Sequence, residues 1–229
     1  MNSLEKNNVS SYNQLKETPS CFVLNPESNG LRVLFIGNSI TLHGVAEHIG
    51  WNHISGMAAS SAENDYVHIC VKAITDRYPQ ATFAIAQLAD WEREYINGSA
   101  RLNDYSVCRE FNADIIIVRI IENCPYEDFS HEDFQREYKA MLEYFNPSGN
   151  AKIILTEGFW HHPGDASIKS VGEELRLPVV SLGDLGDDEH MKAIGEYEHV
   201  GVAQHPNDNG MANIADRIIT ALKNEKILK

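Results

Sequence analysis

Five short apolar runs, at 33–36, 81–88, 114–121, 152–156 and 178–182, constrain the fold more than any other feature of this 229-residue chain. Each is too short for a helix, and the run 33–36 is a continuous branched and aromatic stretch of the kind found in strands buried on both faces. The segments between them carry helical periodicity. Tyr66, Ile69, Cys70, Ala73 and Ile74 recur at three and four, which predicts a helix over 58–78 ended by Pro79. Phe134, Tyr138, Met141, Leu142 and Phe145 mark another, stopped by Asn146-Pro147. Further helices are expected over 99–111, over 166–175, and after Asn209-Gly210, where Met211, Ile214, Ala215, Ile218, Ile219 and Leu222 share a face. Strands alternating with helices predict an α/β fold, a three-layer α/β/α sandwich on a mainly parallel five-stranded sheet. Its length suits one domain over 31–229. Residues 1–30 are polar and read as an extension, with an edge strand at the apolar patch 21–24.

Charge narrows the partners. Lysine and arginine number 19 against 33 acidic residues, a net −14, so a phosphate backbone is repelled and nucleic acid is not expected as a partner. No apolar run approaches the roughly 20 residues of a membrane span, and the start of the chain lacks an apolar signal core. The expectation is a soluble, cytoplasmic chain unless an export signal has been removed, with the oligomeric state left open. Cys21, Cys70, Cys108 and Cys124 are scattered, without the close pairs of a zinc site or the density of a disulfide scaffold. Cys70 reads as core and Cys124 as a buried structural thiol.

The first run ends abruptly at Gly37-Asn38, a turn signal, and Ser39 follows where a polar side chain can stand at a strand's carboxyl end. A serine there is either a cap of the following segment or a nucleophile. In open parallel sheets of order 2-1-3-4-5, ligands bind between the carboxyl ends of the first and third strands. Ser39 follows the first and Asn123 the third, while His205 lies in the loop before the last helix. A histidine can deprotonate a serine near neutral pH, and an asparagine amide can donate to the oxyanion of a tetrahedral intermediate. His199 is the rival base. Trp51, Trp91, Phe159 and Trp160 fall near strand ends, either lining a sugar pocket or packing its rim.

Here the chain resembles a known family. Gly37-Asn38-Ser39-Ile40-Thr41 is similar to the first motif of the SGNH hydrolases, or GDSL esterases and lipases, in the variant with Gly-Asn-Ser. Glu122-Asn123 matches the block of the oxyanion asparagine, and His205-Pro206-Asn207-Asp208-Asn209-Gly210-Met211 resembles the block with the catalytic base. The resemblance spans 32–219 and implies a flavodoxin-like fold, an esterase or deacetylase for short acyl groups, and no metal or cofactor. Ser39 would be the nucleophile, His205 the base, and Asn123 with the Ser39 backbone N–H the oxyanion donors. The substrate would be a small-molecule or carbohydrate ester.

Two departures stand out. Where the family usually has an aspartate three residues before the histidine, this chain has Val202; losing the orienting carboxylate can cost on the order of 10⁴ in turnover. A backbone carbonyl within 201–204 is one replacement, and a carboxylate from Glu92, Glu157 or Asp184 is another. The loop after the second strand lacks the family's oxyanion glycine, leaving Ala89 or Asp90 to supply that N–H. The alternative reading is therefore a catalytically impaired binding protein of the same fold for a small or carbohydrate ligand.

Overall fold

The computed structural model describes residues 21–24 and 29–228; the rest of the expected extension lies outside the described residues. Six strands form one sheet: β1 (Cys21–Leu24), β2 (Arg32–Gly37), β3 (Thr82–Gln87), β4 (Ile115–Arg119), β5 (Lys152–Thr156) and β6 (Val179–Val180), in the order β1-β3-β2-β4-β5-β6. The five strands from β2 to β6 are parallel in the anticipated order, and β1 adds an antiparallel edge beside β3. The expected five-stranded sheet is thus six-stranded.

Successive side chains of β2 point to opposite faces, and both faces are covered. Val33 and Phe35 pack under α1 (Tyr66–Arg77) and α8 (Asp208–Asn224), through Val67, Cys70 and Ile74 of the first and Met211, Ile214 and Ile218 of the second. Leu34 and Ile36 pack on the other face against Trp91 of α2 (Ala89–Arg93), Phe134 and Tyr138 of α4 (His131–Phe145), and Ile168 of α5 (Asp165–Leu175). Each such fully buried large apolar side chain contributes about 1.5–3 kcal/mol. This two-sided burial is why the strands read as continuous apolar runs.

Several boundaries differ from expectation. The first long helix begins at Tyr66 rather than near 58, because Ala58 sits in the left-handed region at φ 73° and the side chain of Asp65 caps the helix by accepting from the His68 N–H. The helix expected over 99–111 is a 3₁₀ stretch, Tyr95–Tyr105, followed by the short α3 (Ser106–Glu110). The last strand shrinks to two residues. Sequence spacing also missed a disulfide: Cys21 and Cys108 are bonded, their Cα atoms 6.0 Å apart, tying β1 to α3. Cys70 and Cys124 are free and buried. No helix among the described residues is long and apolar enough to cross a membrane.

Candidate active site

At the carboxyl end of the sheet Gly37 lies between Gln87 of β3 and Arg119 of β4, so the chain leaves β2 at the point where strand order reverses. The turn that follows is tightly specified. A Cβ at position 37 would run into the Thr41 side chain, whose hydroxyl hydrogen-bonds the Tyr66 hydroxyl at 2.7 Å. Thr41 N–H and Leu42 N–H both donate to the Asn38 carbonyl at 2.9 Å, and Met57 N–H donates to the Ser39 carbonyl at 2.8 Å. These bonds leave Ser39 half-buried at the mouth of a cavity of about 560 Å³, which Asn123 and His205 also line.

Ser39 Oγ lies 2.8 Å from His205 Nε2. The other ring nitrogen, Nδ1, is 2.6 Å from the Gly201 carbonyl oxygen and, as its hydrogen-bond donor, leaves Nε2 free to accept from Ser39. That carbonyl is available because the short helix α7 (Val200–Ala203) ends there. The His205 backbone N–H goes to Val202 instead, at 2.9 Å, leaving Gly201 as one of the terminal carbonyls that a nearby histidine can satisfy. The residues after His205 anchor it. Asn207 caps α8 by accepting from Gly210 N–H at 3.0 Å and donates to the Lys192 carbonyl at 2.8 Å, while Asp208 accepts from both the backbone and the hydroxyl of Ser60. Burial pushes the His205 ring down to about 4, helped by the positive charge of Arg119, so it is neutral at neutral pH and able to take a proton. Trp160 packs against it nearly at a right angle, ring centroids 5.3 Å apart.

Behind Ser39 is a buried polar network that the sequence did not disclose. Arg119 at the end of β4 is fully buried and pairs with Glu122, Nη1 to Oε1 at 2.6 Å. Asn38 bridges the cluster: its Oδ1 accepts from Arg119 Nη2, and its Nδ2 donates to Glu122 at 2.7 Å and to Glu92 at 3.0 Å. Glu92, also fully buried, accepts from Ile121 N–H at 2.6 Å through Oε1 and from Asn123 Nδ2 at 2.7 Å through Oε2. The two carboxyls titrate in opposite directions. Burial raises Glu92 to about 7, reinforced by the charge of Glu122. Burial acts upward on Glu122 most strongly, but Arg119, with the hydrogen bonds from Phe159 N–H and Asn38, outweighs it and holds that carboxyl below its usual range. The one signal in the sequence was Arg119 itself, the single charge inside an otherwise apolar run, since a charge there must find partners.

The three carboxylates considered as orienting acids for His205 are committed elsewhere. Glu92 holds the two asparagines, Glu157 pairs with Lys169 at 2.5 Å, and Asp184 of α6 (Gly183–Asp187) pairs with Arg217 at 2.5 Å. Val202, where the family has its aspartate, is buried in a small apolar cluster with Trp51, Met57 and Ala193. Ala89 N–H, an oxyanion candidate, donates to its neighbour Gln87 Oε1 at 3.0 Å, and Asp90 lies exposed on the cavity wall. His199 also lines the cavity, but its Nδ1 accepts from the Val202 N–H at the start of α7. The aromatics do not line a sugar pocket: Trp51, Trp91 and Phe159 are fully buried, and Trp160 is absent from the cavity wall. Cys124 is no nucleophile, its thiol pushed up by burial and then by Glu92 and Glu122.

The chain matches no protein-family model and no curated protein. Its architecture does match solved structures. A protein described as a GDSL-like lipase from Parabacteroides merdae superposes with a TM-score of 0.57 at 18% identity, over 85% of this chain and 96% of the other. The psychrotrophic esterase EstA from Pseudoalteromonas sp., inhibited by monoethylphosphonate, gives 0.56 at 14% identity, over 84% and 97%. A two-domain esterase active on acetylated mannans gives 0.55 at 18% identity, over 85% of this chain but 48% of that one, so this chain spans about half its length. The fold is that of the SGNH hydrolases.

Proposed function

We propose that this chain is a serine-dependent carboxylic-ester hydrolase in which Ser39 is the nucleophile and His205 the base. One observation carries the reading: the 2.8 Å contact of Ser39 Oγ with His205 Nε2, on a ring whose other nitrogen is held at 2.6 Å by the Gly201 carbonyl. Ser39 attacks the ester carbonyl as its proton passes to Nε2. The imidazolium then protonates the departing alcohol, and water, deprotonated by the same nitrogen, releases the acid from the acyl-enzyme. The Ser39 backbone N–H and Asn123 Nδ2 donate to the oxyanion, each such donor being worth about 3 kcal/mol. The Gly201 carbonyl takes the place of the missing aspartate as the acceptor that fixes the ring's tautomer. This contact favours turnover over a purely binding role for the same fold.

For the acyl group we take acetyl or another short chain, and for the leaving alcohol a carbohydrate. The sugar assignment rests on likeness to the mannan esterase, since Trp51, Trp91 and Phe159 are core and Trp160 packs against His205. The Cys21–Cys108 disulfide favours an oxidising compartment over the cytoplasm. Hydrolysis of an activated acetate ester, run beside labelling by a serine-directed fluorophosphonate, tests the reading. Wild type should turn over and label, and Ser39→Ala and His205→Ala should lose both. A wild type that binds ligand but neither turns over nor labels would establish the binding protein instead.

A further inference from the structure

Glu92 was weighed above as an orienting acid for the histidine, and its contacts give it a different task. It is fully buried on α2, and its two carboxyl oxygens divide their partners unequally. Oε1 faces three donors, Ile121 N–H at 2.6 Å, Asn38 Nδ2 at 3.0 Å and Asn123 N–H at 3.5 Å. Oε2 faces Asn123 Nδ2 at 2.7 Å. Resting on the ester-hydrolase reading, we propose that Glu92 is a positioning residue, which holds the Asn123 carboxamide in the one orientation that keeps its NH₂ available as an oxyanion donor.

The argument is one of hydrogen-bond polarity. An asparagine amide can be turned over with little change of shape, and the two faces differ only in which end donates. Glu92 is raised to about 7, so above that pH it is a carboxylate, which accepts and does not donate and therefore draws Nδ2 toward itself and repels Oδ1. Nδ2 has a second hydrogen, and Asn123 lies on the wall of the cavity that holds Ser39 and His205. Fixing the amide before substrate arrives is what makes such a donor effective, because nothing has to reorganise as the oxyanion forms. The same carboxylate holds Asn38, immediately before Ser39, so nucleophile and oxyanion donor are set by one group.

Glu92→Gln separates positioning from bulk structure, since it keeps the shape and inverts one partner. The glutamine oxygen will face the three donors now on Oε1, and its NH₂ will then face Asn123, which must turn Oδ1 inward and carry Nδ2 away. Asn123→Ala should lower kcat by roughly 10²–10³-fold, the usual effect of losing one oxyanion donor. Glu92→Gln should fall in the same range with KM little changed, and the double variant should be no slower than Asn123→Ala alone. All are compared above pH 7, where Glu92 is ionised, and at equal folded fraction, from tryptophan fluorescence. Should Glu92→Gln unfold, Glu92→Ala in the same cycle replaces it, with the same non-additivity expected. Losses that multiply in the double variant, or a Glu92→Gln with wild-type kcat, overturn the positioning role while leaving the hydrolase intact. A wild type with no turnover and no fluorophosphonate labelling overturns the hydrolase reading and this role with it.

Discussion

Arg119→Met tests whether the buried network holds the site together. The substitution keeps the apolar stem of the side chain but removes the guanidinium, and with it the charge paired with Glu122 at 2.6 Å. Glu122, with its side chain 5% exposed, and the fully buried Glu92 then remain, both bonded to Asn38 Nδ2. Removing one partner of a buried pair typically costs about 3–5 kcal/mol, because the other charge stays behind uncompensated. Against a total stability of about 5–15 kcal/mol that is a large fraction. The loss should also depend on pH. In the wild type Arg119 holds Glu122 below its usual range, so the stability this confers is present at neutral pH and lost as pH falls through the folded value. In the variant burial, opposed only by the hydrogen bonds from Phe159 N–H and Asn38 Nδ2, raises Glu122, so the folded variant keeps a proton that the wild type has released, and its stability is lost as pH rises. Both trends narrow the gap toward acid, by up to about 1.4 kcal/mol per pH unit while the variant holds one extra proton. Urea unfolding followed by tryptophan fluorescence at pH 8 and pH 6 measures it. A gap below about 1 kcal/mol, or one equal at the two pH values, would refute the account of a charge-compensated network.

Two further outcomes follow from the same geometry. With His205 held at about 4, the base itself should add no inflection to kcat/KM for an acetate ester between pH 8 and 5; a decline near 7 belongs to Glu92 and should vanish in Glu92→Gln, so an inflection near 6.5 that persists in Glu92→Gln would mean that the ring is not buried as described. The Cys21–Cys108 bond spans 87 residues and anchors an edge strand on the far side of β3 from β2. Cys21→Ser or mild reduction should therefore lower thermal stability by about 2–4 kcal/mol while fluorophosphonate labelling of Ser39 persists, and equal melting temperatures with and without reductant would contradict it.

What the sequence disclosed and what it hid divide along physical lines. Strands β2 to β5 were legible because burial on both faces demands unbroken apolar runs, and α4 and α8 because one buried face imposes its period. The start of α1 was not, because Ala58 has a backbone angle that its residue type does not announce. Trp51, Trp91 and Phe159 were placed near strand ends correctly, but proximity to a strand end does not say which way a ring points. Ser39, Asn123 and His205 were legible as candidates because acyl transfer would use those side-chain types, and the fold brings all three to one cavity. Glu92 was found as a carboxylate near the site and given the wrong partner, since its contacts come from Asn38, Ile121 and Asn123, which only the folded sheet brings together.

Position 202 shows that a missing motif residue need not leave the histidine without an acceptor. Orienting a histidine requires an acceptor at Nδ1, and the requirement is for an oxygen in the right place, not for a carboxylate. Here the oxygen comes from the main chain at Gly201, exposed by the ending of a four-residue helix, and a backbone carbonyl leaves no trace in residue identity. Once the backbone supplies the acceptor, residue 202 is released from that duty. It is an apolar side chain packed with Trp51 and Met57, the latter on the cavity wall and bonded through its N–H to the Ser39 carbonyl. A carboxylate returned at 202 would have to be buried in that cluster at a cost of several kcal/mol, so valine there supports the loop beside Ser39.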